Sequence, residues 1–424
     1  ARRKLIYSEN SRRTHLAKLS TGRSMKSREV KIVGRQIWAE ISTGVLQKNL
    51  RAIRKHLDAN STSVKRIKVL AVVKGNGYGH GTAAAAKAFA KAGAEWFGVT
   101  CSQEGIELRE SGFRSKPVLV LTGFWEGEEA RLIEYGLTPA ITDCRQMKRL
   151  ERAAARAARK LRGPLGIHLK IDTGMNRLGV PPDSMDCVAR QLAECPHLRL
   201  TGTFTHLASS EDLASPQSEE QTKIFTRALE ALRQRKIDPG LVHMANSAAV
   251  ISRPETWMDM VRPGAILYGY HQNYTPSQAR LEAQKQVPLE AALSLRARIV
   301  SIRDVSAGDG VGYNARFRAA QHSRIAMICA GYADGVPRRL GNQGSVIVRG
   351  KLAPIVGIVS MDLTAVDISG IEGVEIGEIA TLYGRRESPA APQQDASDVA
   401  RLLGTVTSDI LCAISKRVPR VYVQ

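Results

Sequence analysis

Between residues 68 and 261 the sequence alternates eight times between a short apolar run and a stretch with helical periodicity. Short apolar runs joined by amphipathic segments are typical of parallel strands connected by helices. Eight such units favour a (β/α)8 barrel, with a doubly wound open sheet as the alternative. The apolar runs lie at about 68–73, 96–100, 117–121, 138–142, 165–171, 198–205, 241–243 and 259–261.

The alternation is preceded by one further strand and its helix. Residues 30–41 have a strand-like pattern, and Ser42 is placed to cap a helix. Apolar residues then recur at helical spacing at Leu46, Leu50, Ile53 and Leu57.

The pattern changes after about residue 270. A polar, glutamine-rich connection spans 271–288, and beyond it apolar and polar residues alternate between turn sequences, which predicts a mostly β domain. We therefore expect an N-terminal extension at 1–34, a barrel domain at 35–284 and a β domain at 285–424. The strands predicted for the β domain are 292–304, 324–329, 345–348, 355–358, 363–367 and 379–383.

Composition excludes several classes of protein. At 424 residues and 43% hydrophobic content the chain can bury large cores. No apolar run approaches the roughly 18 residues that cross a membrane, and no signal peptide is recognisable. The six cysteines are scattered without a C-x-x-C pair, which favours reduced thiols over a disulfide frame or a zinc site. We expect a cytoplasmic protein without a membrane partner.

The formal charge of +22 raises the question of nucleic-acid binding. Residues 1–34 hold ten lysines and arginines against two glutamates, and the remaining surplus is spread over the chain. No basic run is interleaved with aromatic residues, which make up only 5% of the chain, so stacking platforms for bases are scarce. We expect no specific nucleic-acid partner, and we interpret residues 1–34 as a basic, disordered extension.

One strand end carries a lysine followed at once by a glycine-rich turn. The sequence from 71 to 81 reads Ala-Val-Val-Lys-Gly-Asn-Gly-Tyr-Gly-His-Gly, which places Lys74 where α/β folds build active sites. The glycines let the backbone approach a ligand closely, and Tyr78 adds a phenol. From this stretch alone, a solvated lysine at a strand end is the favoured interpretation.

Other predicted strand ends supply compatible groups. They offer a second amine, hydroxyls and amides for a phosphate, an imidazole and arginines, but they lack the carboxylate cluster of a hard-metal site, so we expect no metal. A lysine for a Schiff base together with phosphate-binding groups on late strands suggests a pyridoxal phosphate enzyme. These residues are Lys170, Asp172, Arg177, His206, His243, Asn246, Ser247, Arg262 and Gly264.

Taken together, the motifs resemble the alanine racemase family, and they occur in the family's order from about residue 36 onward. One such motif would be weak evidence, whereas the set is specific. The motifs are Val-Lys-Gly-Asn-Gly-Tyr-Gly-His-Gly (73–81), Asp-Thr-Gly-Met-Asn-Arg-Leu-Gly (172–179), Thr-His-Leu-Ala (205–208), Ala-Asn-Ser-Ala-Ala (245–249), Val-Arg-Pro-Gly-Ala-Ile-Leu-Tyr-Gly (261–269), Val-Gly-Tyr-Asn-Ala (311–315), Gly-Tyr-Ala-Asp-Gly (331–335) and Val-Ser-Met-Asp (359–362).

The resemblance implies racemisation of L- and D-alanine by two bases on a pyridoxal phosphate aldimine, supplying D-alanine for cell-wall peptidoglycan. Lys74 would bind the cofactor and serve one face of the substrate α-carbon, and Tyr313 would serve the opposite face. Two bases are needed because the proton leaves one side and returns to the other. In the family this tyrosine reaches the partner's barrel, which implies a homodimer with shared active sites.

The resemblance also implies the remaining site residues. Arg262 would hydrogen-bond the pyridine nitrogen, and Lys170 would be carbamylated and position Arg177. The cofactor-binding set would be Lys74, Tyr78, Arg177, His206, Asn246, Ser247, Arg262, Gly264 and Ser408. The substrate would be bound by Arg177, Tyr332 and Met361, the last two from the partner.

One position departs from the family pattern. Alanine racemases usually carry a tyrosine shortly before the Cys-x-Ile-Ser-x-Arg-Val-Pro-Arg end, and Ser408 takes that position here. A smaller residue opens the pocket while its hydroxyl still reaches phosphate, so a broad-specificity racemase acting on serine, lysine or arginine is the alternative. A decarboxylase of the same plan is disfavoured by Tyr313, since those enzymes use cysteine there. A cofactor carrier is disfavoured by the second domain.

Overall fold

The eight apolar runs form one parallel sheet that curls into a nearly closed barrel. The computed structural model describes residues 34–159, 161–386 and 390–424. Along the sheet the strands follow the order β8-β7-β6-β5-β4-β3-β2-β9, so the (β/α)8 prediction is confirmed and the open-sheet alternative is wrong. The barrel strands are β2 (Lys68–Val72), β3 (Trp96–Val99), β4 (Val118–Val120), β5 (Thr138–Ile141), β6 (Leu165–Lys170), β7 (Leu198–Phe204), β8 (Leu241–His243) and β9 (Met260–Val261).

Helices occupy the segments between the strands. The first begins as predicted, because Ser42 accepts a hydrogen bond from the amide of Val45 at 3.2 Å. The helices are α1 (Thr43–Asn60), α2 (Lys74–Tyr78), α3 (Thr82–Lys91), α4 (Ser102–Glu110), α5 (Glu129–Glu134), α6 (Arg145–Ala157), α7 (Met185–Ala193), α8 (Gln217–Gln234), α9 (Ser247–Ser252), α10 (Gln278–Gln286), α11 (Ala396–Leu403) and α12 (Thr407–Cys412). Short 3-10 helices lie at Pro182–Ser184, Pro254–Thr256, Ala265–Tyr268, Tyr313–Ala315, Tyr332–Asp334 and Arg338–Leu340.

The second domain is mostly β, as predicted. Its sheet has the order β15-β14-β17-β10-β1-β18, and β13 pairs with both β10 and β16. The prediction of a strand at 355–358 is wrong. The strand in this region is β15, which ends at Pro354, and Ile355 forms only an isolated bridge with Val366. The strands are β1 (Ile37–Ser42), β10 (Leu293–Val305), β11 (Gly310–Val311), β12 (Phe317–Arg318), β13 (Ser323–Ile328), β14 (Ser345–Val348), β15 (Lys351–Pro354), β16 (Thr364–Asp367), β17 (Ile379–Tyr383) and β18 (Arg420–Val423).

Strand β1 belongs to the sheet of the second domain, although the predicted barrel segment starts at residue 35. It pairs antiparallel with β10, with Ile37 opposite Ala297, and parallel with β18, with Ala39 opposite Arg420. The described chain therefore begins in the β domain, forms the barrel and returns. The predicted extension at 1–34 lies outside the described residues except for Gly34.

A small apolar cluster supports the end of the barrel where the site residues lie. It contains Leu70, Val72, Leu119, Ala140, Phe204 and Met260, each at most 6% exposed. Tyr78 packs against this cluster. Among the described residues, no helix is both long and apolar enough to cross a membrane.

Candidate active site

One cavity of about 280 Å³ lies at the carboxyl ends of the barrel strands. Ten of the residues singled out from the sequence line it, although they are spread over more than 330 positions of the chain. Its apolar side is formed by Val72, Leu121 and Phe204. The ten residues are Lys74, Tyr78, Lys170, Arg177, His206, Asn246, Ser247, Arg262, Gly264 and Ser408.

Lys74 enters the cavity from a backbone turn of unusual hand. Gly75, Asn76 and Gly77 have φ values of 62°, 53° and 59°, and Tyr78 follows at 51°. A left-handed backbone costs most residues with a side chain about 1–2 kcal/mol, whereas asparagine tolerates it. Tyr78 in particular therefore needs support from its surroundings. We call residues 74–81 the lysine turn. Burial among the cavity walls lowers the pKa of Lys74, and Arg177 lowers it further.

Neighbouring residues hold the start of the lysine turn. The carboxylate of Glu104 accepts hydrogen bonds from the amides of Gly75 and Thr100, both at 2.7 Å. Behind the turn the ring of Tyr78 stacks on Tyr268, with centroids 4.9 Å apart. The Tyr268 hydroxyl donates to the carbonyl of Val72 at 3.0 Å. The amine and the phenol are thus fixed to the same end of β2.

Tyr78, Ser247 and Gly264 form a tight polar cradle. The amide of Gly264 donates to Ser247 Oγ at 2.8 Å. A Cβ atom at Gly264 would lie 2.5 Å from Tyr78 Oη, so only glycine fits beside the phenol. Two hydroxyls and a backbone amide are suitable donors for a phosphate group. The donor set therefore fits the phosphate of pyridoxal phosphate.

Arg262 is 4% exposed and is fixed by several acceptors. Its Nη2 donates to the carbonyls of Thr205 at 2.6 Å and Met244 at 3.0 Å, and it approaches His206 Nδ1 at 3.4 Å. Its Nη1 lies 3.0 Å from His243 Nδ1. Burial lowers the pKa of Arg262 to about 9, so the guanidinium is still charged at neutral pH.

A pair of buried histidines stands behind Arg262. Because Arg262 can only donate, His243 Nδ1 accepts, and His243 Nε2 then donates to His168 Nδ1 at 3.0 Å. Burial lowers the pKa of His168 to about 3 and places that of His243 well below its ordinary value, with Arg262 adding to both shifts. Both rings are neutral, and together they fix the orientation of the guanidinium.

The chain matches two family models that together span most of its length. Residues 41–272 match the alanine racemase N-terminal domain, and residues 292–422 match the alanine racemase C-terminal domain. The chain belongs to the alanine racemase family. Its class is therefore that of an amino-acid racemase, an isomerase, and the family depends on pyridoxal phosphate.

Known relatives match almost end to end. The alanine racemase of Symbiobacterium thermophilum is 35% identical over 388 residues, which is 92% of this chain and 97% of the relative. That of Geobacter sulfurreducens is 37% identical over 382 residues, 89% and 96% of the two chains. The crystal structure of alanine racemase from Streptomyces lavendulae has a TM-score of 0.82 at 30% identity and covers 93% of this chain and 98% of that one.

Three residues assigned through the resemblance to alanine racemases lie away from the cavity. Tyr313, Tyr332 and Met361 belong to the β domain and are 67%, 42% and 53% exposed. Tyr313 opens a 3-10 turn in which Asn314 is left-handed, with φ 57°. Within the described chain these residues do not join Lys74. Their assignment to a partner's site stays a prediction.

Lys170 and Arg177 belong to one strand and the loop that follows it. Asp172 holds this loop by accepting hydrogen bonds from the amides of Gly174, Met175, Asn176 and Arg177 at 2.9–3.0 Å. Burial raises the pKa of Asp172, but these four donors outweigh it and the net pKa is lowered. Lys170 is 5% exposed, and burial, followed by Arg177 and Arg262, lowers its pKa to about 8.

Ser408 lines the cavity where the family usually has tyrosine. It lies in α12, and the neighbouring residues Val406 and Thr407 also line the wall. Glu211 contributes a carboxylate to the same cavity, whose other charged groups are lysines and arginines. The cavity wall thus carries a serine in place of the family's tyrosine, together with one carboxylate, that of Glu211.

Several cavity residues were not singled out from the sequence. Thr100, Thr122 and Leu121 follow barrel strands β3 and β4, so the rule that site residues follow strands would have included them. Glu211, His271, Gln272 and Asn273 come from loops and carried no comparable signal. His168 lies within β6 and reaches Arg262 through His243.

Proposed function

We propose that this protein interconverts L- and D-alanine with pyridoxal phosphate as cofactor, supplying D-alanine for peptidoglycan from the cytoplasm. The observation that carries the proposal is the convergence of ten predicted residues, Lys74 among them, on one cavity. The names of the relatives, all alanine racemases, support the same reaction.

The cofactor would be held at both of its ends. Lys74 would bind it through its amine, the Tyr78–Ser247–Gly264 cradle would take the phosphate, and Arg262 would face the ring nitrogen. When bound, pyridoxal phosphate supplies an electron sink for the electron pair left on the substrate α-carbon. Because Arg262 keeps its proton, the ring nitrogen it faces stays unprotonated and the sink is a moderate one.

The proton would be handled by two side chains from two subunits. Lys74 has a lowered pKa, which increases the neutral fraction of its amine that can accept a proton. Tyr313 of the partner subunit would hold or receive the proton on the opposite face. Its 67% exposure in the single chain fits a residue that becomes covered in a dimer. We therefore propose a homodimer with shared active sites.

The test is deuterium exchange at the α-carbon of L-alanine in D₂O. We expect the wild-type protein to give D-alanine labelled at Cα and to show the visible absorbance of bound cofactor. Lys74→Ala should lose both the reaction and that absorbance. Tyr313→Phe should keep the absorbance and lose racemisation. A Lys74→Ala protein that still racemises alanine would overturn the proposal.

We also propose that Lys170 carries a carbamate. Its lowered pKa provides a neutral amine, which would add to CO₂ and release one proton. The resulting anion would offset the positive charges of Lys74, Arg177 and Arg262 around it and orient Arg177. Incubation with ¹³C-bicarbonate should give a carbamate carbon signal by NMR that Lys170→Met lacks. Identical spectra for the two proteins would contradict this assignment.

A broader substrate range is the second candidate, favoured by Ser408 and Glu211 in the cavity wall. The smaller Ser408 leaves space beyond a methyl side chain, and the Glu211 carboxylate would attract a cationic one. Measuring kcat/KM for alanine, serine, lysine and arginine distinguishes an alanine racemase from a broad-specificity racemase. Turnover of alanine alone would exclude the broad range without affecting the racemase proposal.

A further inference from the structure

The lysine turn lies directly against the C-terminal segment, which we define as residues 411–422. A Cβ atom at Gly79 would collide with the carbonyl oxygen of Leu411, and one at Gly81 would collide with Tyr422 Oη. A Cβ at Gly75 would lie 3.4 Å from Cys412 Sγ. Gly79 and Gly81 are therefore required for contact with this segment of the β domain.

Arg420 joins the two segments through one guanidinium group. Its Nε donates to the carbonyl of Gly79 at 3.1 Å. Its Nη1 donates to the carbonyls of Ser415 at 2.6 Å and Val418 at 2.8 Å, and its Nη2 donates to Ile414 at 2.8 Å. Charge-assisted bonds of this kind are stronger than neutral ones. One side chain thus ties the lysine turn to the fold of the C-terminal segment.

We infer that Arg420 is a positioning residue for Lys74, acting through Gly79 and the left-handed turn. The turn contains Tyr78 in a left-handed backbone conformation that a residue with a bulky side chain disfavours, so its shape depends on external contacts. Glu104 holds the amide of Gly75 near the start of the turn, and Arg420 holds the carbonyl of Gly79 near its end. Small displacements of a reacting group lower rates strongly, about 100-fold for 1 Å.

The opposite side of the C-terminal segment makes a separate set of contacts. Arg417 donates to Asp334 Oδ1 and Asp362 Oδ1, both at 2.7 Å, and Asp334 is 0% exposed. These carboxylates adjoin Tyr332 and Met361, which are proposed to serve the partner's site. Arg417 therefore provides a neighbouring arginine whose removal should affect the other active site of the dimer.

The test uses hybrid dimers and rests on the proposed shared sites. Mixing Lys74→Ala chains with Tyr313→Phe chains should create one complete site per hybrid, with Lys74 from the Tyr313→Phe chain. Arg420→Met placed in that lysine-supplying chain should lower kcat about 10- to 100-fold. The same substitution in the Lys74→Ala chain should have an effect at least fivefold smaller. Arg417→Met should show the reverse order.

A second measurement does not depend on turnover. Release of pyridoxal phosphate from the holoenzyme homodimer, measured as loss of visible absorbance, should be roughly tenfold faster for Arg420→Met than for wild type, because a hydrogen bond from a charged group is lost. Arg420→Lys, which keeps the charge but not the fork of donors, should be intermediate. Arg401→Met removes an exposed arginine that forms an ion pair with Asp398 on its own helix, and it should match wild type.

The outcomes separate the two proposals. An inactive parent hybrid would contradict the shared sites while leaving the release measurement valid for Arg420. Equal effects of Arg420→Met in both chains of an active hybrid, or a release rate equal to that of Arg401→Met, would overturn the positioning role. If Arg420→Met fails to fold, the Arg420→Lys release rate decides, and a value equal to wild type overturns the inference.

Discussion

Adding one methyl group at Gly264 tests the phosphate cradle directly. The new Cβ would lie 2.5 Å from Tyr78 Oη, which is closer than real Cβ atoms approach, and 3.2 Å from its Cζ, which is a tight contact. Tyr78 cannot move away freely because its ring stacks on Tyr268. Overpacking of this kind costs about 1–3 kcal/mol. If that cost raises the free energy of the cofactor-bound state, cofactor binding weakens about 5- to 150-fold.

The assay is titration of the apoprotein with pyridoxal phosphate, followed by visible absorbance, for wild type and Gly264→Ala. Gly370→Ala is the matched control, because a Cβ there meets nothing within 4 Å. We expect the control to keep the wild-type dissociation constant. A Gly264→Ala protein with a dissociation constant within twofold of wild type would refute the cradle.

A double-mutant cycle identifies the colliding atom. Tyr78→Phe removes the oxygen at 2.5 Å and leaves Cζ at 3.2 Å as the nearest contact. Gly264→Ala should therefore weaken cofactor binding less in the Tyr78→Phe background than in wild type. Additive effects would show that the methyl group acts through some other neighbour.

Three further predictions concern stability and substrate range. Burial lowers the pKa of Lys170 from 10.5 to about 8. Between those two pH values Lys170 keeps its proton only in the unfolded chain. In CO₂-free buffer the free energy of unfolding of the wild type should therefore rise with pH by about 3 kcal/mol relative to that of Lys170→Gln. Parallel pH profiles of the two proteins would contradict this. Asp334→Asn should lower the free energy of unfolding in denaturant by about 1.5–3 kcal/mol, because the buried carboxylate forms ion pairs with two partly exposed arginines. Glu378→Gln, which removes a more exposed carboxylate, is the comparison. A decrease for Asp334→Asn no larger than that for Glu378→Gln would count against the prediction. Ser408→Tyr should lower kcat/KM for lysine and arginine more than for alanine, and an equal loss for all substrates would refute the steric reading.

Much of the barrel and its site could be predicted from the sequence, because both follow from local patterns. The apolar runs predicted every barrel strand. Residues just after those runs line one cavity, because parallel strands end at the same edge of the barrel. Ser42 and the apolar spacing after it located α1. The glycines after Lys74 indicated a permissive backbone, although not that Asn76 and Tyr78 would share its left-handed form.

The unpredicted features depend on contacts between distant segments. The sequence around Arg420 does not predict its hydrogen bond to the carbonyl of Gly79, which is 341 positions away. The periodicity of β1 predicts a strand but does not specify its neighbours, so its membership of the second sheet was not foreseen. The His243–His168 pair likewise requires two strands to be placed side by side. The roles of Tyr313, Tyr332 and Met361 involve a second chain and remain predictions.

The placement of β1 has a consequence for synthesis on the ribosome. A chain made from its N-terminus produces β1 before every other described strand, yet its neighbours β10 and β18 begin only at residues 293 and 420. While the ribosome makes the whole barrel, β1 has both edges open, and open edges pair readily with other chains. Nascent chains halted between residues 270 and 290 should therefore be the most prone to aggregate, and chaperone demand should fall once β10 emerges.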